Sequence, residues 1–417
     1  MTTADDIFDQ SVGNIQRLGL NEIPFTESPI DLSSERLQYV FTGREDELRQ
    51  VFTLFQSRER RRILVYGRIG IGKSAFLLEV LSVLRRKRPS MLTAYLSLPP
   101  NLDLATTALI ALAREMNNDE WAQRQLYQMG IPTDKPLKER SSEVGASMGL
   151  AAKTSEKDLP ITKPAYPTVS LDTLLERAQK KYPDGVVIAI DDLDKQNPSY
   201  VRQLMHDAQG MLKGRAWFLL TGHPQGMTGD LLTDERGLFD LRLKLDALDY
   251  DTTYRMLINY LSSARLGETC TEPTDPRCVL PFTPEAAEQF CRASLGKPRL
   301  FNRLGSMVLS KAADMGVDRI TPEVLREGLR AAEPSLLQKA ALSVKESRVR
   351  TLLQQRGNLS EETITIEDLE QLGVRSFVEI LPILEKLEAA DLAYQLDRED
   401  IAVFEPIALP AAEDSDE

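Results

Sequence analysis

The order of patterns along this chain predicts an α/β fold: a parallel sheet flanked by helices, then a helical segment and a compact C-terminal module. Three observations carry the prediction. Short apolar segments at 62–66, 91–98, 185–190, 216–222 and 240–245 alternate with stretches of helical periodicity, the arrangement of a parallel sheet covered on both faces. A glycine-rich turn, "GRIGIGKS" at 67–74, joins the first strand to a helix. Finally, the acidic pair Asp191-Asp192 stands at the tip of the all-apolar strand "GVVIAI".

Taken in order, residues 1–40 read as a mostly loop-like N-terminal extension, with "NEIPFTESPIDLSSERL" rich in turn formers. The α/β domain is expected over 41–248. It opens with a helix whose Leu48, Val51, Phe52 and Phe55 share one face after a Gly-Arg-Glu-Asp start. "RILVY" is a buried strand, "SAFLLEVLSVLRRK" a helix and "MLTAYLSL" a second strand. A helix follows with Leu109, Leu112, Ala113 and Met116 on one face. Between about 119 and 167 the pattern degrades into an insertion, where Val144, Ala146, Met148 and Leu150 alternate either as a small hairpin or as a mobile segment. Helices and strands then resume up to "DLRLKL". A helical lid is expected over 249–333 and a winged-helix-like module of three helices and two strands over 336–410. The acidic tail 411–417 completes the chain.

At 417 residues the chain exceeds one ordinary core, so two to four domains are expected. No apolar run approaches the roughly 20 residues needed to cross a bilayer. The N-terminus has acids and no apolar core segment, unlike a secretory signal, so a cytoplasmic protein without a membrane partner is expected. Cys270, Cys278 and Cys291 cannot all pair, and with only two histidines a tetrahedral zinc site is poorly supplied; reduced thiols are expected, with "CTEPTDPRC" a loop. The net charge of −12 is uneven: from Leu336 to Glu417 eight basic residues face eighteen acidic ones.

"GRIGIGKS" matches G-x-x-x-x-G-K-[ST], the loop that cradles phosphates. Its glycines let successive amides turn inward at the positive end of the following helix. The expected nucleotide contacts run from Gly67 through Ile69, Gly70, Ile71, Gly72, Lys73 and Ser74 to Ala75. Lys73 would reach the β- and γ-phosphates, and the Ser74 hydroxyl would ligate Mg²⁺. Asp191, costly at a strand tip without a cation, is the second candidate metal ligand. Asp192 would orient or deprotonate the attacking water. Elsewhere, a D-D pair at a strand exit is ordinary turn chemistry.

Three further residues are each open to two readings. Thr221 ends "WFLLTG" either as a contact to the γ-phosphate or water, or as a turn residue. Arg299 follows Pro298 in the first turn of a helix, where a cation opposes the macrodipole and needs an anion, either a phosphate or an acidic neighbour. Arg236 in "TDERGLF" is either an arginine finger reaching across a subunit boundary or a surface residue, with Arg242 its rival.

With these residues in hand, the chain resembles the AAA+ ATPases, and within them origin-recognition and loader-type initiators and their STAND relatives. "FTGREDEL" is similar to the box that closes over adenine, which gives Phe41, Gly43 and Arg44 a place beside the base. "GRIGIGKS" and "VVIAIDDLD" match the Walker A and B motifs. Thr221 falls where sensor 1 would be, and "GKPR" resembles a sensor 2 motif opening a lid helix. The resemblance implies an AAA+-type P-loop fold with a helical lid and a C-terminal winged helix, ATP and Mg²⁺ as cofactors, and ATPase activity. One departure is that Walker B continues with Asp192 in place of the usual Glu, retracting the carboxylate by one methylene, so slow hydrolysis is expected.

Three functions are compatible with these residues. The first is a switch in which ATP bridges the α/β domain, the lid and a neighbouring subunit, giving a homo-oligomer in the ATP state and output to a protein partner through the acidic C-terminal module, in defence or signalling. The second is a DNA-binding initiator, loader or transposition regulator, using "RERRR" (58–62), "RRKR" (85–88) or the winged helix. It is disfavoured, because "SFVEILPILEKLEAADLA" offers one lysine among acids and phosphate contacts need cations. The third is a nucleotide-binding scaffold that does not turn over.

Overall fold

The computed structural model describes residues 3–26, 39–57, 59–133, 138–141, 155–158, 166–193, 198–223, 238–398 and 401–407. The chain divides into two compact units. One comprises Arg44–Arg68 and Lys73–Leu245; the other comprises Met1–Gly43, Ile69–Gly72 and Asp246–Glu417.

The first of these is the α/β unit. Its strands β1 (Arg62–Gly67), β2 (Met91–Ser97), β5 (Gly185–Asp191), β6 (Trp217–Gly222) and β7 (Leu241–Leu245) form one sheet in the order β2-β5-β6-β1-β7. Every pairing is parallel. The central strands β5 and β6 are buried along their whole length, which is why they read as continuous apolar runs. The helices α3 (Lys73–Lys87), α4 (Leu104–Glu115) and α6 (Pro167–Lys181) cover the sheet: α3 packs on β1, β2 and β6, while α4 and α6 pack on each other and on β5. The principal core gathers Leu64, Ile188, Ile190, Phe218 and Leu220 from the strands with Leu109, Leu112, Leu174 and Leu175 from the helices. Two further helices, α2 (Glu45–Leu54) and α5 (Glu120–Gln128), flank these, and α7 (Pro198–Asp207) with the short α8 (Gln209–Leu212) precedes β6.

Within the region expected as an insertion, α5 is capped by the Asp119 carboxylate. A short antiparallel pair, β3 (Lys138–Ser141) with β4 (Ser155–Asp158), brackets the alternating stretch 144–150, which itself lies outside the described residues.

In the other unit, helix α1 (Ala4–Arg17) replaces the loop expected at the N-terminus. Thr3 and Asp6 form a reciprocal capping box that satisfies the orphan amides of its first turn. The turn formers that suggested a loop lie downstream of this helix, from Asn21 onward. Helices α9 (Tyr250–Ser263), α10 (Pro284–Ala293) and α11 (Pro298–Asp314) build a second core in which the rings of Phe25, Tyr260, Phe290 and Phe301 pack on one another. The cysteines also depart from expectation. Cys270 and Cys278 are joined as a disulfide with Cα atoms 4.9 Å apart, and Cys291 alone is free, buried in this core. The turn through Pro276–Val279 folds the nine-residue loop back on itself, which spacing alone did not reveal.

Helix α12 (Pro322–Ala340) runs without a break from the second core into a third, contributing Val324, Leu325 and Leu329 to one and Leu336 and Ala340 to the other. Pro334 lies inside it. The third core belongs to a C-terminal module of three helices, α13 (Val344–Arg356), α14 (Ile366–Leu372) and α15 (Phe377–Ala389), and an antiparallel hairpin, β8 (Ala393–Arg398) with β9 (Ile401–Pro406). The acidic tail 411–417 lies outside the described residues.

Candidate functional site

The parallel strands of the α/β unit place Gly67, Asp191 and Thr221 at or beside their carboxyl ends. Lys73 and Ser74 open α3 immediately after the loop that leaves β1. The Lys73 side chain is 6% exposed, and its Nζ donates to the carbonyl oxygens of Gly67 at 2.9 Å and Arg68 at 3.0 Å. The ammonium is thereby folded back over the rim of its own loop. Gly70 and Gly72 hold φ of +79° and +96°, backbone geometry that L side chains rarely adopt. At Gly70 a Cβ would also stand 3.2 Å from Cβ and Nε of Arg299.

Asp191 ends β5 at 2% exposure. Ile190 is opposite Leu220, so Asp191 and Thr221 emerge side by side from adjacent strands. The Thr221 hydroxyl donates to Asp191 Oδ1 at 2.6 Å, and the Asp192 amide donates to the same oxygen at 2.8 Å. That amide also lies 3.0 Å from Thr221 Oγ1. The other oxygen, Oδ2, accepts from the Tyr95 hydroxyl at 2.8 Å. Three donors therefore compensate for a carboxylate that burial alone would make expensive. Burial first, and the Asp191 charge second, hold the Tyr95 phenol well above its usual range, so it remains a donor. Tyr95 is the residue that reading the sequence missed. Its only signal was a polar ring in the largely apolar strand "MLTAYLSL".

Asp192 adopts φ +64°, a left-handed backbone outside any regular element. Such positions cluster where surrounding structure fixes a functional side chain. Thr221, read as a contact to phosphate or water, has its one hydroxyl proton directed at Asp191.

The expected adenine box divides at its middle. Thr42 accepts from Asn259 Nδ2 at 2.9 Å, and Gly43, at φ +77°, presses on Thr252 of α9. Phe41 is half-buried. Arg44, itself left-handed at φ +68°, precedes α2 and pairs with Glu47 at 3.3 Å. Of the two finger candidates, Arg236 lies outside the described residues, and Arg242 is half-buried on the edge strand β7 opposite Leu64.

Arg299 has the anion its position demands, and that anion is a carboxylate. Its Nε and Nη2 each stand 3.2 Å from Asp391, and Nη2 donates to the Ala389 carbonyl at 2.8 Å. Five arginines of the basic clusters suggested as a nucleic-acid grip are engaged internally, while Arg60 and Lys87 are exposed. Arg61 and Arg62 pair with Asp240 at 3.3 and 2.9 Å. Arg85 donates to Thr93 and Glu115, Arg86 to Ser82, and Arg88 to the Phe55 carbonyl. Arg58 lies outside the described residues. Lys386, the lone cation of α15, is bound by Glu346 at 2.8 Å. Among the described residues no helix is long and apolar enough to cross a membrane.

Residues 40–211 match the AAA_16 family model, described as an AAA ATPase domain. No curated protein matches the chain. Among solved structures it is similar to the RuvB Holliday junction branch migration motor of Thermotoga maritima (15% identity, 85% of this chain and 90% of that one, TM-score 0.42). It is similar also to Cdc6p from Pyrobaculum aerophilum (16%, 92% and 93%, TM-score 0.46) and to the Orc1 protein of Aeropyrum pernix solved in complex with DNA (13%, 90% and 92%, TM-score 0.47).

Proposed function

We propose that this chain, whose residues 40–211 match a family model described as an AAA ATPase domain, binds ATP with Mg²⁺ and hydrolyses it, and that nucleotide state governs its self-assembly and its hold on a protein partner. The observation that carries the reading is the buried Asp191 carboxylate, clamped by Tyr95, Thr221 and the Asp192 amide at the end of β5.

The donor set fits a magnesium nucleotide. Lys73 and Ser74 stand at the positive end of a 15-residue helix, where backbone amides and macrodipole favour anions. The loop ahead of them holds Gly70 and Gly72 at left-handed φ, and a Cβ at Gly70 would crowd Arg299 at 3.2 Å. Magnesium, when bound, would supply positive charge that offsets the charge of the phosphates. Ser74 and Asp191 would hold it, Lys73 would leave the Gly67 and Arg68 carbonyls to meet phosphate, and Asp192 would orient and deprotonate water. The remaining loop residues Gly67, Ile69, Gly70, Ile71, Gly72 and Ala75 would contribute backbone contacts, and Phe41, Gly43 and Arg44 would line the base.

Assembly in the ATP state and output through the acidic C-terminal module belong to the same proposal. Internal pairing of Arg61, Arg62, Arg85 and Lys386 supports a protein partner over DNA, since these cations already have counter-charges. A second reading, nucleotide binding without turnover, is favoured by Asp192 alone, whose carboxylate is one methylene shorter than a glutamate's.

Calorimetric titration with ATP in magnesium buffer, paired with phosphate release, tests the proposal. Binding and turnover that Lys73→Ala abolishes are expected. Binding without phosphate release would select the second reading, and no binding at all would overturn both.

A further inference from the structure

A cation in the first turn of a helix is unfavourable unless an anion meets it. Arg299 occupies that position in α11, and the anion comes from the C-terminal module. Asp391 lies two residues beyond α15, after its C-cap Ala390, is 1% exposed, and holds a left-handed φ of +60°. Its carboxylate accepts from both Nε and Nη2 of Arg299, and from Arg303 Nη1 at 2.6 Å one turn further along α11. A second pair runs beside it. Lys297 Nζ lies 3.7 Å from Glu388, with both side chains buried, and 5.9 Å from the ring centroid of Tyr394. The lid segment 297–303 is thus gripped by the end of α15.

The same arginine stands on the phosphate loop. Its backbone amide donates to the Gly70 carbonyl at 3.2 Å, and its Cβ and Nε bound the space over Gly70. A guanidinium offers one planar fork, and a fork engaged with two carboxylate oxygens cannot present the same N–H groups to a phosphate.

We propose that Asp391 is a positioning residue for the ATPase site: it holds Arg299 away from the terminal phosphate, and loss of that contact is the event by which a triphosphate on the loop loosens the C-terminal module. This rests on the reading that the loop binds a nucleotide triphosphate. A diphosphate, lacking the terminal group, leaves the Asp391–Arg299 pair in place.

Two readouts test it, neither of them turnover. The first is the ratio of ATP to ADP affinity, from titration of the full chain in magnesium buffer. Asp391→Asn keeps the size of the side chain and removes the charge, so ATP affinity is expected to rise about tenfold with ADP affinity unchanged. The second is amide hydrogen exchange over 387–398. In the wild type it is expected to accelerate with a non-hydrolysable ATP analogue and not with ADP; in Asp391→Asn it is fast under every condition. Arg299→Lys, which keeps the charge but loses the bidentate fork, should loosen 387–398 without ligand and bring the two affinities closer together. Unchanged affinity ratios with unchanged exchange in both variants would overturn the proposal while leaving nucleotide binding intact. Wild-type chain that binds neither nucleotide would overturn the underlying reading instead.

Discussion

The Tyr95 hydroxyl donates to Oδ2 of Asp191 from a neighbouring strand, at 2.8 Å. The tyrosine lies two residues earlier in register than the aspartate, since Tyr95 is opposite Ala189 and Ser97 opposite Asp191. The ring therefore leans along the strand direction to reach the strand end. Removing the hydroxyl by Tyr95→Phe strands a buried carboxylate oxygen. A loss of about 1–3 kcal/mol in urea unfolding is expected. Magnesium-dependent ATP affinity should fall in the same variant, while magnesium-free binding changes little. Equal losses in magnesium and in EDTA would count against a role in metal positioning.

Asp192 combines the water-orienting role proposed above with a left-handed backbone, and substitutions can separate the two. Asp192→Gly accepts φ +64° without cost and should stabilise the fold by up to about 1 kcal/mol in thermal unfolding while stopping turnover. Asp192→Asn should preserve ATP binding and lower turnover by roughly 10²- to 10⁴-fold, the usual contribution of a general base. Turnover that survives both substitutions would move the base elsewhere.

Gly296 opens the "GKPR" segment at φ +64°, with its carbonyl accepting from the Leu248 amide at 2.9 Å. A Cβ there would fall 2.0 Å from the Leu248 carbonyl oxygen. Gly296→Ala must shift backbone, and a loss of more than about 2 kcal/mol is expected by chemical denaturation. Gly357→Ala offers a control, with φ +74° and nothing within 4 Å; only the smaller conformational cost of about 1 kcal/mol should appear.

How far these features could be foreseen follows from their range along the chain. The places of the 67–74 loop and of Asp191 at strand ends were legible because each is a contiguous motif beside an apolar strand. The sheet strands were legible because burial on both faces leaves unbroken apolar runs. Tyr95, Asp391 and the Cys270–Cys278 pair were not. Asp391 lies 92 residues from Arg299, and no periodicity links residues so far apart. The acidity of α15 was visible, but its use was not: Glu388 and Asp391 face cations of the same chain. Helix α1 was missed because the turn formers of residues 21–37 dominate the reading of the whole N-terminal stretch, although the Thr3–Asp6 cap and an amphipathic pattern mark residues 4–17.

The C-terminal module should show a defined acid sensitivity. Glu346 is held down to about 2, chiefly by the Lys386 ammonium and then by the Ser343 amide. A depressed carboxylate stabilises the fold above its ordinary value of 4.5. That contribution fades as pH falls through about 2. Tryptophan lies outside this module, so far-ultraviolet dichroism is the measurement. Glu346→Gln should flatten the acid side of the curve and lower stability at neutral pH.

Thiol counting addresses the cysteines. Burial pushes the Cys291 thiol up to about 12, so it should resist alkylation at pH 8 in the folded chain. Unreduced protein should yield one reactive thiol on denaturation. Three would show that Cys270 and Cys278 are unpaired in the isolated chain.

Helix α12 enters two separate cores along its 19 residues, a rod of about 28 Å. Pro334 cannot donate to the carbonyl four residues back, so the rod has one softened joint near its middle. Whatever seizes the last eighty residues therefore turns a shaft rooted among the aromatic rings around Phe301. The coupling is geared, not tethered: a twist applied at one end arrives at the other with only that single joint to absorb it.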